Sequence, residues 1–213
     1  MKYIWERENW FDFKYDHAAL LKPLSDLRIL QGKLLGRIQS LDIKLETEAQ
    51  GAILVEEAVR TSEIEGQNLN REAVRSSVAV RLGLPHGVAK HDRNADGLVD
   101  VLLDAVRFYD NPLTLKRLNG WHAALFPTSY SGLRRIKVGK LRGNAPMQIV
   151  SGPIGKEKVH FEALPKDRLY KEMRLFVKWW NLSHESMDGI IRAAMAHLRF
   201  LAIHPYEDGN GRL

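Results

Sequence analysis

Apolar residues recur at spacings of three and four through the first part of the chain: Leu20, Leu21, Leu24, Leu27, Leu30, Leu34, Leu35, Ile38 and Leu41. That spacing traces one face of an amphipathic helix, with an interruption expected near Pro23. Ile53, Leu54, Ala58 and Val59 predict a second helix running towards Gly66, and a third spans about Arg71 to Leu82, where Gly83 and Pro85 are stop signals. Further helical patterns cover Leu98 to Phe108, Leu115 to Leu125, Lys166 to Trp180 and Asp188 to Ile203. The last is apolar nearly all round (Ile190, Ile191, Ala194, Met195, Leu198, Leu201, Ala202), a pattern that predicts central burial. Between Ile136 and Val159 the pattern changes to scattered Gly and Pro with short extended pieces, 147–150 and 159–161. These predict a small β-hairpin, or flap, within an otherwise all-α fold.

At 213 residues and 45% hydrophobic content, the chain can bury a real core. Two regions are expected: an N-terminal helical region over 1–90 and a core over 91–213, with a soft boundary near 85–95, where Gly, Pro, His and Asn gather. There is no cysteine, which excludes disulfides, thiolate metal sites and a cysteine nucleophile. No stretch has the length of apolar sequence that a membrane span needs, and the N-terminus lacks a signal-peptide pattern. The expectation is a cytoplasmic protein with no membrane partner. The net charge of +6 raises a second class, a non-catalytic DNA-binding regulator. No helix with clustered Lys and Arg is visible, so nucleic acid is not the expected partner.

Asp92, Asn94, Asp96 and Gly97 match the opening of a calcium loop, but position twelve is Leu103 where a bidentate Glu is needed. The segment reads instead as a polar turn capping the next helix.

The chemistry gathers at the end of the chain, in His204-Pro205-Tyr206-Glu207-Asp208-Gly209-Asn210-Gly211-Arg212-Leu213. A helix ends at a histidine and Pro205 prevents its smooth continuation. Glycines let backbone amides turn towards a ligand, and a new helix starting near Asn210 would add an anion site. Arg212 offers a forked donor for phosphate. Asp208 is a hard oxygen ligand suited to Mg²⁺ that also touches phosphates. His204 titrates near neutrality and can take a proton from a hydroxyl. Taken singly, each residue has a duller reading as a cap or a turn; their order in nine residues describes phosphoryl-type transfer.

This run resembles the signature of the Fic family, H-P-F-x-(D/E)-G-N-G-R-x-x-R, with Tyr206 where Phe is usual. The helix carrying His197-Leu198-Arg199-Phe200 is similar to the family as well, and the resemblance covers roughly 95–213. It implies a mainly helical Fic (Fido) fold with a hairpin flap, and a protein adenylyltransferase (AMPylation) activity. His204 would be the general base, Asp208 the Mg²⁺ ligand, Gly209, Asn210 and Gly211 the anion hole, and Arg212 a phosphate contact. The substrate would be ATP, and the acceptor a Ser, Thr or Tyr hydroxyl of a target protein, the chain itself being one candidate. De-AMPylation or transfer of another phosphate-containing group on the same site stays open, because the phosphate cradle is common to all three. The family's second signature arginine would stand two residues beyond Leu213, so the core reads as truncated after the motif.

Gly139-Lys140-Leu141-Arg142 and Met147-Gln148-Ile149-Val150 resemble the family's target-docking flap, which implies pairing of Gln148, Ile149 and Val150 with an extended target chain. A purely structural hairpin is the other reading. Thr61, Glu65 and Gly66 fit the family's inhibitory pattern, (S/T)-x-x-x-E-(G/N), on a helix of about 47–66. Thr61 and Glu65 share one helix face, and the resemblance implies autoinhibition, Glu65 keeping ATP from binding productively. The N-terminal aromatics Trp5, Trp10, Phe11 and Phe13 serve either a homodimer contact or an anchor onto the core; the anchor is the simpler reading.

Overall fold

The computed structural model describes residues 3–88, 91–153, 156 and 158–213; the side chain of Ile149 lies outside the described residues. After one 3₁₀ turn at Ile4–Glu6 come helices α1 (His17–Gln39), α2 (Ile43–Ile64), α3 (Arg71–Leu82), α4 (Arg93–Arg107) and α5 (Leu115–Leu125). Strands β1 (Tyr130–Ser131), β2 (Arg134–Arg135), β3 (Gln148–Ser151) and β4 (Lys158–Glu162) follow, then α6 (Lys166–Leu182) and α7 (Gly189–Ile203). The strands form two separate antiparallel pairs, β1 with β2 and β3 with β4. The fold is therefore mainly helical, as the periodicity predicts.

Contacts divide the chain into two compact units, one of 1–12 with 100–213, the other of 13–99. In the second unit α2 packs on α3, burying Val55, Ala58 and Val59 against Ala73, Val74 and Val78. Capping fixes the ends. The Asp42 carboxylate accepts from the Leu45 N–H at 2.8 Å, and Asn70 caps α3 through the Glu72 N–H at 2.9 Å. Gly83 closes α3 in the left-handed conformation, φ 68°.

Two details depart from the expected pattern. Helix α1 runs through Pro23 without a break. The carbonyl at Ala19 that loses its partner lies on an exposed stretch, where water can meet it. Helix α4 begins at Arg93, five residues before the first periodic apolar position. Asp92 caps it by accepting from the Asn94 N–H at 2.9 Å, and Asp96 is held inside the helix by the Ser77 hydroxyl at 2.5 Å and the Arg81 guanidinium at 3.2 Å. The would-be calcium loop is thus a helix start.

In the first unit α7 packs on α6 and on the N-terminal turn. Met195, Phe200, Ala202 and Ile203 are buried, but Leu198 is 49% exposed. The nearly all-round apolar pattern of α7 therefore overstates its burial. Beside it lies an apolar cleft of about 370 Å³ lined by Leu113, Trp121, Phe176, Trp180 and Phe200. Of the N-terminal aromatics, Trp10 and Phe11 act as an anchor within this unit: Trp10 is buried, and the Arg199 guanidinium lies over the rings of Phe11 (4.9 Å) and Trp179 (3.9 Å). Burial pulls the Arg199 pKa down to about 10, with Asp12 opposing.

Candidate active site

The site begins where α7 stops. His204 takes the left-handed conformation, φ 51° and ψ 62°, and its N–H still reaches the Phe200 carbonyl at 2.8 Å. A non-glycine residue with positive φ is uncommon and costs about 1 kcal/mol or more. Here Pro205 disfavours a helical conformation at the preceding residue, and α7 ends at His204. The chain then folds back on itself. The Tyr206 N–H donates to Asn210 Oδ1 at 2.9 Å, and Asn210 Nδ2 returns a hydrogen bond to the Tyr206 carbonyl at 2.9 Å. Gly209, φ 75°, passes so close to Phe126 that a Cβ would lie 2.7 Å from its ring. Only glycine meets both conditions. Residues 210–212 form a turn rather than a helix start, closed by the Arg212 N–H on the Gly209 carbonyl at 3.2 Å.

Each predicted motif residue has defined surroundings. Asp208 accepts from the Gly209 N–H through Oδ1 at 2.5 Å and from the Ser131 hydroxyl through Oδ2. Arg212 lies over the Phe126 ring, 4.8 Å from its centroid. Asn210 is buried and its side chain is engaged with Tyr206, so the group it can turn towards a ligand is its backbone. Glu207 accepts from the Lys137 N–H at 3.1 Å, which ties the loop after β2 to the motif.

Four residues outside the motif complete the arrangement; the sequence reading placed Arg142 in the flap segment 139–142 and gave the other three no role. His122 on α5 is fully buried and stacks on Tyr206, centroids 4.2 Å apart. Its Nδ1 accepts from the Gly139 N–H at 2.9 Å, so the ring proton sits on Nε2 and is donated to the Asp208 carbonyl at 3.2 Å. Arg142 is 3% exposed and, among the described residues, bonds backbone oxygens: Nε to the His204 carbonyl at 2.7 Å, Nη2 to the Leu164 carbonyl, and its own N–H to the Pro205 carbonyl at 2.9 Å. Ser131 reaches Asp208 from the β1–β2 pair. Asn119 receives the Tyr206 hydroxyl at 2.9 Å, which answers the polar demand of a tyrosine where phenylalanine is usual.

Burial lowers the pKa of His204 below the ordinary 6.5, with the nearby Arg142 charge acting the same way and Leu201 and Asp208 opposing. His122 is lowered for the same first cause. Both rings are therefore neutral at pH 7. Because the unfolded chain binds these two protons more readily than the folded one, stability is lost as pH falls through 6.5 towards the folded pKa values. The melting temperature should thus decline below pH 6.5 before the carboxylates titrate; a flat profile down to pH 5 would contradict the buried neutral rings.

Comparison with known proteins follows this geometry. Residues 112–213 match the model of the Fic/DOC family. The chain carries a domain of the Fic family. Members of this family are known for transferring nucleotidyl groups onto proteins. Residues 3–84 match a model described as a domain of unknown function, DUF4172. Among solved structures, a Fic domain containing signaling protein from Bacteroides thetaiotaomicron is similar at TM-score 0.62 and 21% identity, over 85% of this chain and 67% of that one. A Fic family protein from Desulfovibrio desulfuricans gives TM-score 0.60 and 20% identity, over 94% and 55%. Fic-1 from C. elegans, in a glutamate-to-glycine variant, gives 0.54 and 18%, over 91% and 56%. At these identities the likeness establishes the fold, and the chain spans between 55% and 67% of their lengths. No curated protein matches the chain.

The flap of this Fic domain is the β3–β4 pair, in register Gln148 with Glu162 and Val150 with Val159, with an irregularity after Ile149. Gln148 and Val150 are exposed. Its root is tied to the motif, since Arg142 joins the Leu164 and His204 carbonyls. Thr61, Glu65 and Gly66 belong to the other unit. Glu65 is the exposed C-cap of α2, with its N–H on the Thr61 carbonyl at 3.4 Å, and Gly66 takes φ 72°. The Thr61 hydroxyl donates to Glu57 at 3.2 Å. Among the described residues, no group of three His, Asp or Glu side chains has metal-binding spacing, and no helix is long and apolar enough to cross a membrane.

Proposed function

We propose that the chain is a protein adenylyltransferase that moves AMP from Mg-ATP to a Ser, Thr or Tyr hydroxyl of a target protein, restrained by Glu65. The observation that carries the reading is the folded-back loop from His204 to Arg212. It gathers a neutral imidazole, a carboxylate, two glycine amides and a guanidinium within one closed turn. No group of that set is spare in such a reaction. His204 accepts the proton of the acceptor hydroxyl, and the oxygen attacks the α-phosphorus as pyrophosphate leaves. A base of lowered pKa is already unprotonated at neutral pH. The Gly209 N–H holds the Asp208 carboxylate, and the backbone amides of Asn210 and Gly211 with the Arg212 guanidinium bind and orient the phosphates.

Asp208 suits a magnesium ion. Its two oxygens each accept one hydrogen bond and each keeps a further lone pair, and magnesium held with substrate phosphates needs only one or two carboxylates. When bound, the ion would offset negative charge on the phosphates. The flap would dock an extended acceptor segment by backbone pairing.

The experiment is intact mass spectrometry of the full chain carrying Glu65→Gly after incubation with Mg-ATP, alone and with candidate acceptors. Attachment of one adenylyl group is expected, at least roughly tenfold faster than in the parent if Glu65 contributes as little as 1.4 kcal/mol of restraint. Transfer equal in parent and variant would remove Glu65 as the brake; no transfer by either would remove the adenylyltransferase reading.

A further inference from the structure

The N-terminal arm has no part in the chemistry proposed above, yet it is bonded to the flap. Two observations fix how. The Ala163 N–H donates to the Met147 carbonyl at 2.8 Å, and the register sets Gln148 opposite Glu162. In an antiparallel pair, hydrogen-bonded and non-hydrogen-bonded positions alternate. Since 147 and 163 are the bonded pair, Gln148 and Glu162 turn their backbone groups outward, to opposite sides of the ribbon.

The outward carbonyl of Glu162 is occupied: Trp5 donates its Nε1–H to it at 2.6 Å. The indole is itself braced. It stacks on Tyr3 with centroids 5.7 Å apart, and Tyr3 meets Phe161 of β4 edge-on at 5.6 Å. The Arg168 guanidinium lies 5.6 Å from the Trp5 ring centroid, donates to the Trp5 carbonyl at 3.2 Å and is fixed by Glu172 at 3.0 Å. The arm therefore lies along one edge of the flap, and on the other edge Gln148, Val150 and Ser151 are exposed.

We propose that Trp5 is a positioning residue that closes the β4 edge, so that an extended acceptor chain adds only along β3. The proposal rests on the acceptor-docking reading of the flap given above. It adds a polarity that the flap alone lacks, because a free two-stranded ribbon offers two edges and two registers to an incoming strand. The edge left open is that of β3, which is paired with a β4 whose root, through Leu164 and Arg142, is bonded to the His204 carbonyl.

The test uses the full chain in the Glu65→Gly background. Trp5→Ala removes the clamp, and Trp5→Phe keeps a ring beside Tyr3 and Arg168 but lacks the N–H. Hydrogen exchange read by mass spectrometry should rise about tenfold over 158–162 in Trp5→Ala, as expected for loss of one hydrogen bond with its packing, and less in Trp5→Phe, with α6 and α7 unchanged. With a mixture of unstructured Ser-, Thr- and Tyr-containing peptides as acceptors, the acceptor KM should rise by a similar factor at unchanged kcat. Gln148→Pro, which deletes the outward N–H of β3, should raise it too. Unchanged exchange over 158–162, or a rise spread equally through α6 and α7, would overturn the clamp. An unaltered KM in Gln148→Pro would overturn the choice of edge. If the Glu65→Gly parent transfers AMP neither to a peptide nor to itself, the transferase reading fails, and exchange alone still decides whether Trp5 holds β4.

Discussion

In the Glu65→Gly background, replacing His204 should lower adenylyl transfer by roughly 10²–10⁴-fold, the usual contribution of a positioned general base. The choice of replacement matters because of the backbone. At φ 51° an alanine carries left-handed strain, whereas asparagine tolerates that region. His204→Asn therefore removes the base with least disturbance of the turn, and His204→Ala provides the comparison. Transfer is read as adenylyl mass gained per unit time, and fold by thermal denaturation of the same samples. If the asparagine variant melts like its parent and transfers within tenfold of it, His204 is not the base.

Arg142→Met should have the largest effect on stability. The guanidinium satisfies the His204 and Leu164 carbonyls in a place where water has little access. Each buried carbonyl left without a donor costs about 1–3 kcal/mol. Removing the side chain also relieves the cost of burying a charge, visible in the lowered Arg142 pKa, whose cause is desolvation. The net loss should lie near the lower end, about 2–3 kcal/mol, measured as a shift of the urea midpoint at constant slope. Lysine should not rescue it, because one ammonium cannot serve two carbonyls in a fixed fork. A loss below about 0.5 kcal/mol, the level of an ordinary surface change, would show that the bridge between flap root and motif is dispensable.

The sequence discloses what is local. Helix periods, the glycine stop after α3 and the whole run from His204 to Arg212 are written in neighbouring residues. So are the two extended pieces that become β3 and β4. What it conceals is long-range. His122 meets Asp208 across 86 positions, Arg142 meets His204 across 62, and Ser131 meets Asp208 across 77. A lone His on α5, or an Arg in a glycine-rich stretch, has no periodicity to mark its partner. The start of α4 was hidden for a different reason. Asp92, Asn94 and Asp96 have the composition of a loop, and only the tertiary bonds from Ser77 and Arg81 make Asp96 a comfortable helix residue.

The paired bonds between Tyr206 and Asn210 carry a consequence for binding. They close the loop into a ring held by its own side chain and backbone. On the function proposed above, a phosphate entering it would meet a backbone whose torsions are already restricted, so little of its binding energy would be spent freezing them. Affinity here should respond to the charge and number of the incoming oxygens far more than to temperature-driven loosening of the loop, as in a mould cast in advance of its object.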